Sequence, residues 1–278
     1  MTLLKLDKPP SAWGEPARRF FGLSTMVRDT AAIAETDLRK LARDPSELLT
    51  RAIQPALWLL VFGQVFSRAR AIPTGNLRYL DFLAPGILAQ SVLFIAIFYG
   101  ISVIWERDLG IVHKLLVTPS PRAALVLGKG LSAGVRALSQ GIIIYALCWM
   151  LDVKLDWRPQ SMLCVILAII LGADLFSTFS LIIACIVKTR ERFMGIGQVL
   201  TMPLFFASNA VYPLAMMPQW LKVVAHLNPL TYEVDALRSL MVVGGGSVYG
   251  VGWDFAVLLV VTMAMTAVGA AFYPRLAE

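Results

Sequence analysis

The chain has 278 residues and a mass of 30.5 kDa, and 58% of its residues are hydrophobic against 15% charged. Soluble domains hold roughly 45–50% apolar and about 25% charged residues, so this composition indicates a membrane protein. Lys and Arg outnumber Asp and Glu by 25 to 18. In a membrane protein such an excess reports first on topology, and we expect no nucleic-acid partner.

Residues 1–47 are predicted to form a cytoplasmic segment, since they contain no apolar run long enough for a signal peptide. Within them, small or apolar residues recur at helical spacing on one face: Val27, Ala31, Ala34, Leu38 and Leu41. This pattern predicts an amphipathic helix that lies on the membrane surface. A soluble helix packed on a partner is the alternative.

Residues 48–278 are predicted to form one all-α transmembrane domain. Six apolar runs approach or exceed the roughly 20 residues that a crossing needs: Leu48–Phe66, Phe82–Trp105, Ala123–Leu151, Met162–Val187, Phe193–Met217 and Phe255–Tyr273. Pro55 is expected to kink the first span, because its ring removes a backbone hydrogen bond.

Residues 218–252, between the last two spans, are too polar for a seventh lipid-facing helix. Pro229 cannot donate a backbone hydrogen bond and disfavours the helical conformation at Asn228. We therefore expect a re-entrant pair of short helices, broken at Asn228-Pro229, with Glu233, Asp235 and Arg238 at water or paired with one another. A plain surface loop is the alternative.

The distribution of Lys and Arg predicts the orientation. Segments on the side of the N terminus hold 16 of these residues, nine of them within residues 1–51, and segments on the opposite side hold 7. Cytoplasmic loops carry the excess of positive charge, so both termini are predicted in the cytoplasm.

Catalytic motifs are nearly absent from the sequence. Gly128-Lys129 has no glycine five positions earlier to complete an ATP-binding loop, and His113 and His226 are predicted on opposite membrane faces. The three cysteines lie in apolar runs without metal-ligand spacing. We expect no enzyme activity, metal or cofactor in this chain.

The sequence becomes specific after the second span. Its pattern there is an acidic-basic-acidic triplet, a glycine, a Leu-rich segment that ends in Thr-Pro, and a Gly-Lys pair: Glu106, Arg107, Asp108, Gly110, Leu115, Leu116, Thr118, Pro119, Gly128 and Lys129. A second stretch holds Ser208-Asn209, Pro213-Leu214, Met217 to Leu221, and Asn228 to Arg238. Both resemble the permease subunits of ABC-2 type export transporters, including drug-resistance and nodulation-type exporters. Asp108 departs from the pattern, where Glu is common.

The resemblance implies a pair of six-span permease subunits, either two copies or a copy with a paralogue, bound to two cytoplasmic ATPase subunits. ATP and magnesium would be bound by those partners. It also implies that the N-terminal helix is an interfacial connecting helix and that Glu106–Pro119 is the coupling helix. The predicted ATPase-coupling residues are Glu106, Arg107, Asp108, Gly110, Lys114, Leu116, Thr118 and Pro119.

Two polar residues are predicted inside the membrane. Asp174 lies midway along the fourth span, where an ionised side chain is costly. Arg136 of the third span is its candidate partner, and a hydrogen bond to a hydroxyl such as that of Thr178 is the other structural reading. Direct handling of substrate by Asp174 is the alternative.

The second and fifth spans carry no charge and are rich in aromatic residues. We predict possible path-lining residues there: Phe94, Phe98, Phe205, Phe206 and Asn209. The predicted outer gate consists of Trp220, Asn228, Pro229, Tyr232 and Arg238. Because acceptors for a polar sugar look sparse, the sequence favours a lipid-like or drug-like cargo.

The leading hypothesis is a permease of an ATP-driven exporter that moves an amphipathic lipid-like, drug-like or glycolipid substrate. The chain would lie in the inner or plasma membrane of a bacterium, in contact with membrane lipid. A membrane-embedded lipid-processing enzyme and a non-transporting ATPase-binding assembly protein are the alternatives.

Overall fold

The computed structural model describes residues 50, 53–69, 72–75, 77–109, 122–187 and 189–273. These residues form helices and one isolated β-bridge, with no longer strand among them. A π-helical turn, Trp58–Gly63, precedes α1 (Gln64–Ala69). The remaining α-helices are α2 (Tyr79–Asp108), α3 (Arg122–Met150), α4 (Pro159–Ile186), α5 (Arg190–Phe206), α6 (Gln219–Leu227), α7 (Pro229–Met241) and α8 (Val251–Phe272). The predicted N-terminal amphipathic helix, at residues 24–43, lies outside the described residues.

Four of the described helices are long and apolar enough to cross a membrane: α2, residues Leu125–Met150 of α3, α4 and α8. They agree with the second, third, fourth and sixth predicted spans. The chain is therefore a multi-pass membrane protein with an all-α fold. The first and fifth predicted spans correspond to shorter helices, so the count of six spans stays a prediction.

The first predicted span differs from a regular α-helix. Its π-helical turn starts at Trp58, three residues beyond Pro55. Such turns are a known cause of bends in helices. Gly63 packs against Leu80 of α2 at the end of this turn.

The fifth predicted span, Phe193–Met217, is wrong at its C-terminal end, because α5 stops at Phe206. The Ser208 hydroxyl donates to the Phe205 carbonyl at 2.7 Å and accepts from the Ala210 amide at 3.3 Å. These bonds replace two that a continued helix would have made. The chain then turns, and a short 3₁₀-helix follows at Leu214–Met216.

Helix α2 forms the centre of the bundle. It packs against α1, α3, α4, α5 and α7, and most of its side chains from Tyr79 to Ile104 are buried. Helix α8 lies at the periphery, where Val260 and Met263 are more than half exposed. Apolar side chains exposed in this way suit contact with lipid.

The bundle has two ends that differ in structure. At one end, here called the α2–α3 end, α2 finishes and α3 begins. At the other, the α3–α4 end, a turn joins α3 to α4 and the helices α6 and α7 lie nearby. An antiparallel bridge between Leu155 and Val242 ties that turn to the end of α7.

Candidate functional site

The α2–α3 end holds an ion pair between the first acidic residue of the motif and its distant lysine. Lys129 Nζ of α3 lies 2.6 Å from Glu106 Oε1 of α2, and the two side chains are only 7% and 14% exposed. Lys129 Nζ also lies 5.9 Å from the centroid of the Tyr99 ring. The pair therefore fixes α2 against α3.

The next two residues of the motif connect α2 to the start of α5. Asp108 Oδ2 lies 2.6 Å from Arg190 Nη2, and the Arg190 guanidinium sits 3.6 Å above the Trp105 ring. Arg107 Nη1 donates to the Val187 carbonyl at 3.4 Å. We call Glu106, Arg107, Asp108, Lys129 and Arg190 the charged cluster. It joins the end of α2 to α3, to the start of α5 and to the end of α4.

The rest of the predicted coupling helix is not described by the structure. Gly110, Lys114, Leu116, Thr118 and Pro119 lie outside the described residues. Of the eight residues predicted to contact an ATPase, the structure places Glu106, Arg107 and Asp108.

At the α3–α4 end, the predicted break in residues 218–252 is present. Helix α6 ends at Leu227 and α7 begins at Pro229, with Asn228 in an extended conformation between them. The Asn228 side chain caps α7 by accepting from the Leu230 amide at 3.1 Å, and it donates to the Leu204 carbonyl of α5 at 2.7 Å. The break is therefore anchored to the neighbouring helix.

The charged side chains of α7 contradict the expectation that they face water or one another. Glu233, Asp235 and Arg238 are buried, with exposures of 0%, 0% and 4%. Arg238 Nη2 donates to the Asn209 carbonyl at 2.7 Å, and its guanidinium lies 3.8 Å from the Phe82 ring. These partners come from α2 and from the turn after α5, because α7 packs inside the bundle and not on its surface.

Asp235 collects four hydrogen bonds. Its Oδ1 accepts from Asn209 Nδ2 at 3.3 Å, and its Oδ2 accepts from the Ser247 hydroxyl and from the amides of Val248 and Tyr249 at 2.6–3.2 Å. This carboxylate therefore organises the loop between α7 and α8. Sequence reasoning missed this role, although a carboxylate in an apolar helical segment was a signal for internal partners.

Burial shifts the pKa of two titratable groups of α7. Desolvation lowers the pKa of Arg238 to about 10, so its guanidinium keeps its charge at neutral pH. Desolvation also raises the pKa of Glu233 well above its ordinary value. Both Glu233 oxygens are buried against Gly172 of α4 without a hydrogen-bond partner in the described chain.

The remaining predicted gate residues have different environments. The Trp220 side chain is 69% exposed on α6. The Tyr232 hydroxyl donates to the His226 carbonyl at 2.8 Å, and its ring lies 5.1 Å from that of Tyr249. Tyr232 therefore connects α6, α7 and the loop before α8.

The turn between α3 and α4 contains a further ion pair. Asp156 Oδ2 lies 2.6 Å from Arg158 Nη2, and Asp156 Oδ1 accepts from the Arg158 amide at 3.0 Å. The hydrogen bonds from Arg158 hold the pKa of the Asp156 carboxyl well below its usual range. The pair sits beside the bridge that ties this turn to α7.

Asp174 and Arg136, the predicted intramembrane pair, contact different groups in the described part of the chain. Asp174 Oδ1 is buried without a hydrogen-bond partner in the described chain and faces Gly130 of α3. The Arg136 guanidinium lies 5.7 Å from the centroid of the Tyr99 ring. Thr178, the other predicted partner, has a buried hydroxyl that does not bond to Asp174 either.

The predicted path-lining residues fall into separate groups. Phe94 and Phe98 stack with centroids 5.9 Å apart on α2, and Phe205 and Phe206 contact each other at 5.3 Å on α5. Phe205 is fully buried, whereas Phe206 is 41% exposed. Asn209 belongs to the network around Asp235 and Arg238.

Comparison with known proteins agrees with this architecture. Residues 28–242 match the family model of the ABC-2 type transporter. The chain is 32% identical over 208 residues to the transport permease ycf38 of Cyanophora paradoxa, which covers 72% of this chain and 70% of that protein. It is 25% identical over 266 residues to the daunorubicin resistance ABC transporter permease protein DrrB1 of Streptomyces coeruleorubidus, covering 96% and 90% of the two chains.

A third relative is the inner membrane transport permease YadH of Escherichia coli K12, with 25% identity over 197 residues, 69% of this chain and 73% of that protein. The match of the family model covers most of the chain, including α2, α3, α4 and the broken helix pair. The chain therefore belongs to the ABC-2 type transporter family and is a transport permease. Membership implies partnership with ABC ATPase subunits.

Proposed function

We propose that this chain is the membrane-spanning subunit of an exporter that moves an amphipathic lipid-like, drug-like or glycolipid substrate out of the cytoplasm or the inner leaflet. The observation that carries the proposal is the family match over residues 28–242. The relative DrrB1, which aligns with 96% of the chain, is named for resistance to daunorubicin, an organic drug. That name favours an amphipathic cargo.

The proposed orientation puts the α2–α3 end and both termini in the cytoplasm of a bacterial cell. The excess of Lys and Arg on that side supports it. ATP and magnesium are then bound by cytoplasmic ATPase partners, and a second permease copy or a paralogue completes the transporter.

The proposed coupling helix is residues 106–119, and its first three residues, Glu106, Arg107 and Asp108, form the end of α2 and belong to the charged cluster. The cluster supports this role because Glu106, Asp108 and Arg107 connect α2 to α3, α5 and the end of α4. A rigid-body movement of the ATPase pair that pushes on this segment would shift several helices together. Such a set of helices can act as an element with two states whose balance ATP changes.

A charge reversal tests the coupling role. Lys114→Glu changes the surface of the segment without introducing a helix breaker, and Lys154→Glu is the matched control, since Lys154 is exposed at the α3–α4 end. In proteoliposomes with the co-expressed ATPase, Lys114→Glu should lower ATP-driven transport at least tenfold while the protein stays folded and in the membrane. Equal transport by both variants would contradict the coupling role.

The gate is proposed at the α3–α4 end. Helices α6 and α7 are short and separated at Asn228. Helix α7 is buried in the bundle, whereas Ala225 is the one buried residue of α6. A short helix that is largely exposed moves more easily than a full span, as a gate requires. Trp220, Asn228, Pro229, Tyr232 and Arg238 are its proposed residues, with Phe94, Phe98, Phe205, Phe206 and Asn209 as proposed path-lining residues.

The overall function is tested with the permease purified together with its ATPase. Adding an amphiphile, such as glucosyl-dioleoylglycerol, to the reconstituted complex should stimulate ATP hydrolysis, and ATP should drive movement of that amphiphile between leaflets. ATP-independent binding alone, with no stimulation by any amphiphile tested, would favour the assembly-protein alternative.

A further inference from the structure

Three glutamines from three different helical segments line one cavity inside the bundle. Gln54 comes from the helix before the π-helical turn, Gln90 from α2 and Gln140 from α3. The cavity has a volume of about 110 Å³, and Ser91 and Phe94 also line it. We call it the glutamine cavity.

The glutamine cavity is open at Gln54 and lies far along the helices from the α3–α4 end. At 1.5 Å per residue, Gln90 lies about 16 Å from the start of α2 and Gln140 about 15 Å from the end of α3, measured from the same α3–α4 end. The contact of Gly63 with Leu80 places Gln54 at a similar depth, since the two helices run in opposite directions. Such a depth corresponds to the hydrocarbon region of a membrane.

The amides of Gln90 and Gln140 lack hydrogen-bond partners among the described residues. The two residues are 2% and 1% exposed, and the side-chain nitrogen and oxygen of each are buried without a hydrogen-bond partner within the described chain. Buried polar groups without partners are rare, because each one loses its bonds to water on folding. Each amide offers two donors and an acceptor, so the cavity is built for a guest that both donates and accepts.

We propose that the glutamine cavity binds the uncharged, hydroxyl-bearing or amide-bearing head of the transported amphiphile. This inference rests on the proposed export function and narrows its substrate class. The described residues that line the cavity are all uncharged, and a charged head without a counter-charge would be costly there. The volume fits a group of a few heavy atoms, since one liquid water occupies about 30 Å³. One hydroxyl-bearing edge of a sugar can therefore enter past the exposed Gln54, while the rest of the sugar and the acyl or apolar body stay outside.

The cavity also changes the class of cargo that the sequence favoured. A sugar head looked unfavourable because few acceptors were evident, but the fold brings together the side chains of Gln54, Gln90 and Gln140. The ring of Phe94 adds a surface on which the apolar face of a sugar can pack. A neutral glycosyl head therefore fits the site better than a purely apolar cargo.

Native mass spectrometry of the full-length permease with its ATPase, without ATP, tests the site. The probes are glucosyl-dioleoylglycerol and dioleoylglycerol, which differ only in the sugar. The wild type should bind the glucosyl lipid at least tenfold more tightly. Gln90→Met and Gln140→Met keep the side-chain length but remove the amide, and each should lower that preference about tenfold, the effect of losing one or two hydrogen bonds.

Gln198→Met is the matched control, because Gln198 is exposed on α5 and does not line the cavity; it should bind as the wild type does. Gln54→Met, at the exposed edge of the cavity, provides the same test if a buried variant does not fold. Equal binding of the two lipids by the wild type, as expected for a cavity that holds only water, would overturn the proposal. Unchanged preference in the cavity variants would overturn it as well.

The binding assay separates this inference from the proposed function. Loss of sugar selectivity in the cavity variants, with no ATP-driven movement by the wild type, would support the site and contradict export. ATP-driven movement without glutamine-dependent selectivity would support export and reject the site.

Discussion

Lys129 and Glu106 show how one contact can constrain a membrane protein at the residue scale. Lys129 is buried and Glu106 nearly so, and they meet at 2.6 Å between α2 and α3. Removal of one partner leaves a charge without compensation, which costs roughly 3–5 kcal/mol for a buried pair. The Glu106 side chain keeps 14% exposure, so the cost should fall at the low end of that range.

We therefore expect Glu106→Leu and Lys129→Met each to destabilise the purified protein by about 3 kcal/mol, whereas the double variant loses much less than the sum of the two. The measurement is a double-mutant cycle on unfolding in detergent. The control is Arg190→Leu, because both side chains of its ion pair with Asp108 are 36–39% exposed; it should change stability far less. Strict additivity of the two losses would show that the pair contributes no coupling.

Packing restricts which side chains fit at position 174. The Asp174 Oδ1 atom has no hydrogen-bond partner within the described chain. Its carboxyl group faces Gly130, where a Cβ atom would collide with it. Asp174→Asn keeps the shape of the side chain and should retain both stability and transport. Asp174→Leu adds branched bulk against α3 and should cost about 1–3 kcal/mol, the usual effect of overpacking.

Thermal unfolding and transport, measured on the same Asp174 variants, distinguish a packing role of this residue from a chemical role of its carboxyl group. If Asp174→Asn loses both stability and transport, with normal amounts of protein in the membrane, the carboxyl group itself carries a proton or contacts cargo. The packing explanation would then be wrong.

At the scale of elements, the sequence predicted backbone features that depend on neighbouring residues. It did not predict hydrogen bonds and contacts between residues distant in the sequence. The break at Asn228-Pro229 follows from the chemistry of proline alone and is confirmed. The end of α5 at Phe206 depends on Ser208 satisfying its own turn, which no hydrophobic pattern shows.

The candidate site likewise has one part that the sequence predicts and another that only the fold reveals. The motif at Glu106 was evident from the sequence, and Lys129 belonged to it, yet their ion pair joins residues 23 positions apart. The three glutamines lie in three separate segments, and each looks like an isolated polar residue until the helices pack. Side chains that act through neighbours from other helices therefore require the fold.

The anchored break between α6 and α7 leads to a prediction at the element scale. Asn228→Leu with Pro229→Ala removes the cap on Leu230 and the bond to Leu204, and it lets α6 and α7 join. Loss of a helix cap alone costs about 1 kcal/mol. We expect slower export, by roughly tenfold, with ATP hydrolysis largely kept, because the change lies far from the charged cluster.

Transport and ATP turnover in the same proteoliposomes measure this effect. Val223→Leu, on the exposed face of α6, is the control for a local change that leaves the break intact. Normal export by the double variant would show that the break has no part in gating, whatever its effect on stability.

At the scale of the whole molecule, the fold allows one subunit to connect two membrane faces. Helix α2 runs through the centre, with the charged cluster at one end and the Arg238 contacts to Phe82 and Asn209 at the other. The glutamine cavity lies between them beside α2. A shift of α2 started at the charged cluster would therefore affect the cavity and the broken helix pair together.

The coupling and gating ends can be assigned only if the α2–α3 end faces the cytoplasm. A labelling experiment tests this orientation. In a chain whose three cysteines, at positions 148, 164 and 185, are replaced by alanine, single cysteines are introduced as Thr74→Cys, Lys154→Cys and Ser120→Cys. Sealed vesicles with the outer face exposed are treated with a membrane-impermeant maleimide. Positions 74 and 154 should react at once, because both lie at the α3–α4 end, where Arg78 donates to the Asp152 carbonyl. Position 120 should react only after the vesicles are opened, and reaction of all three from one side would refute the topology and with it the assignment of the coupling and gating ends.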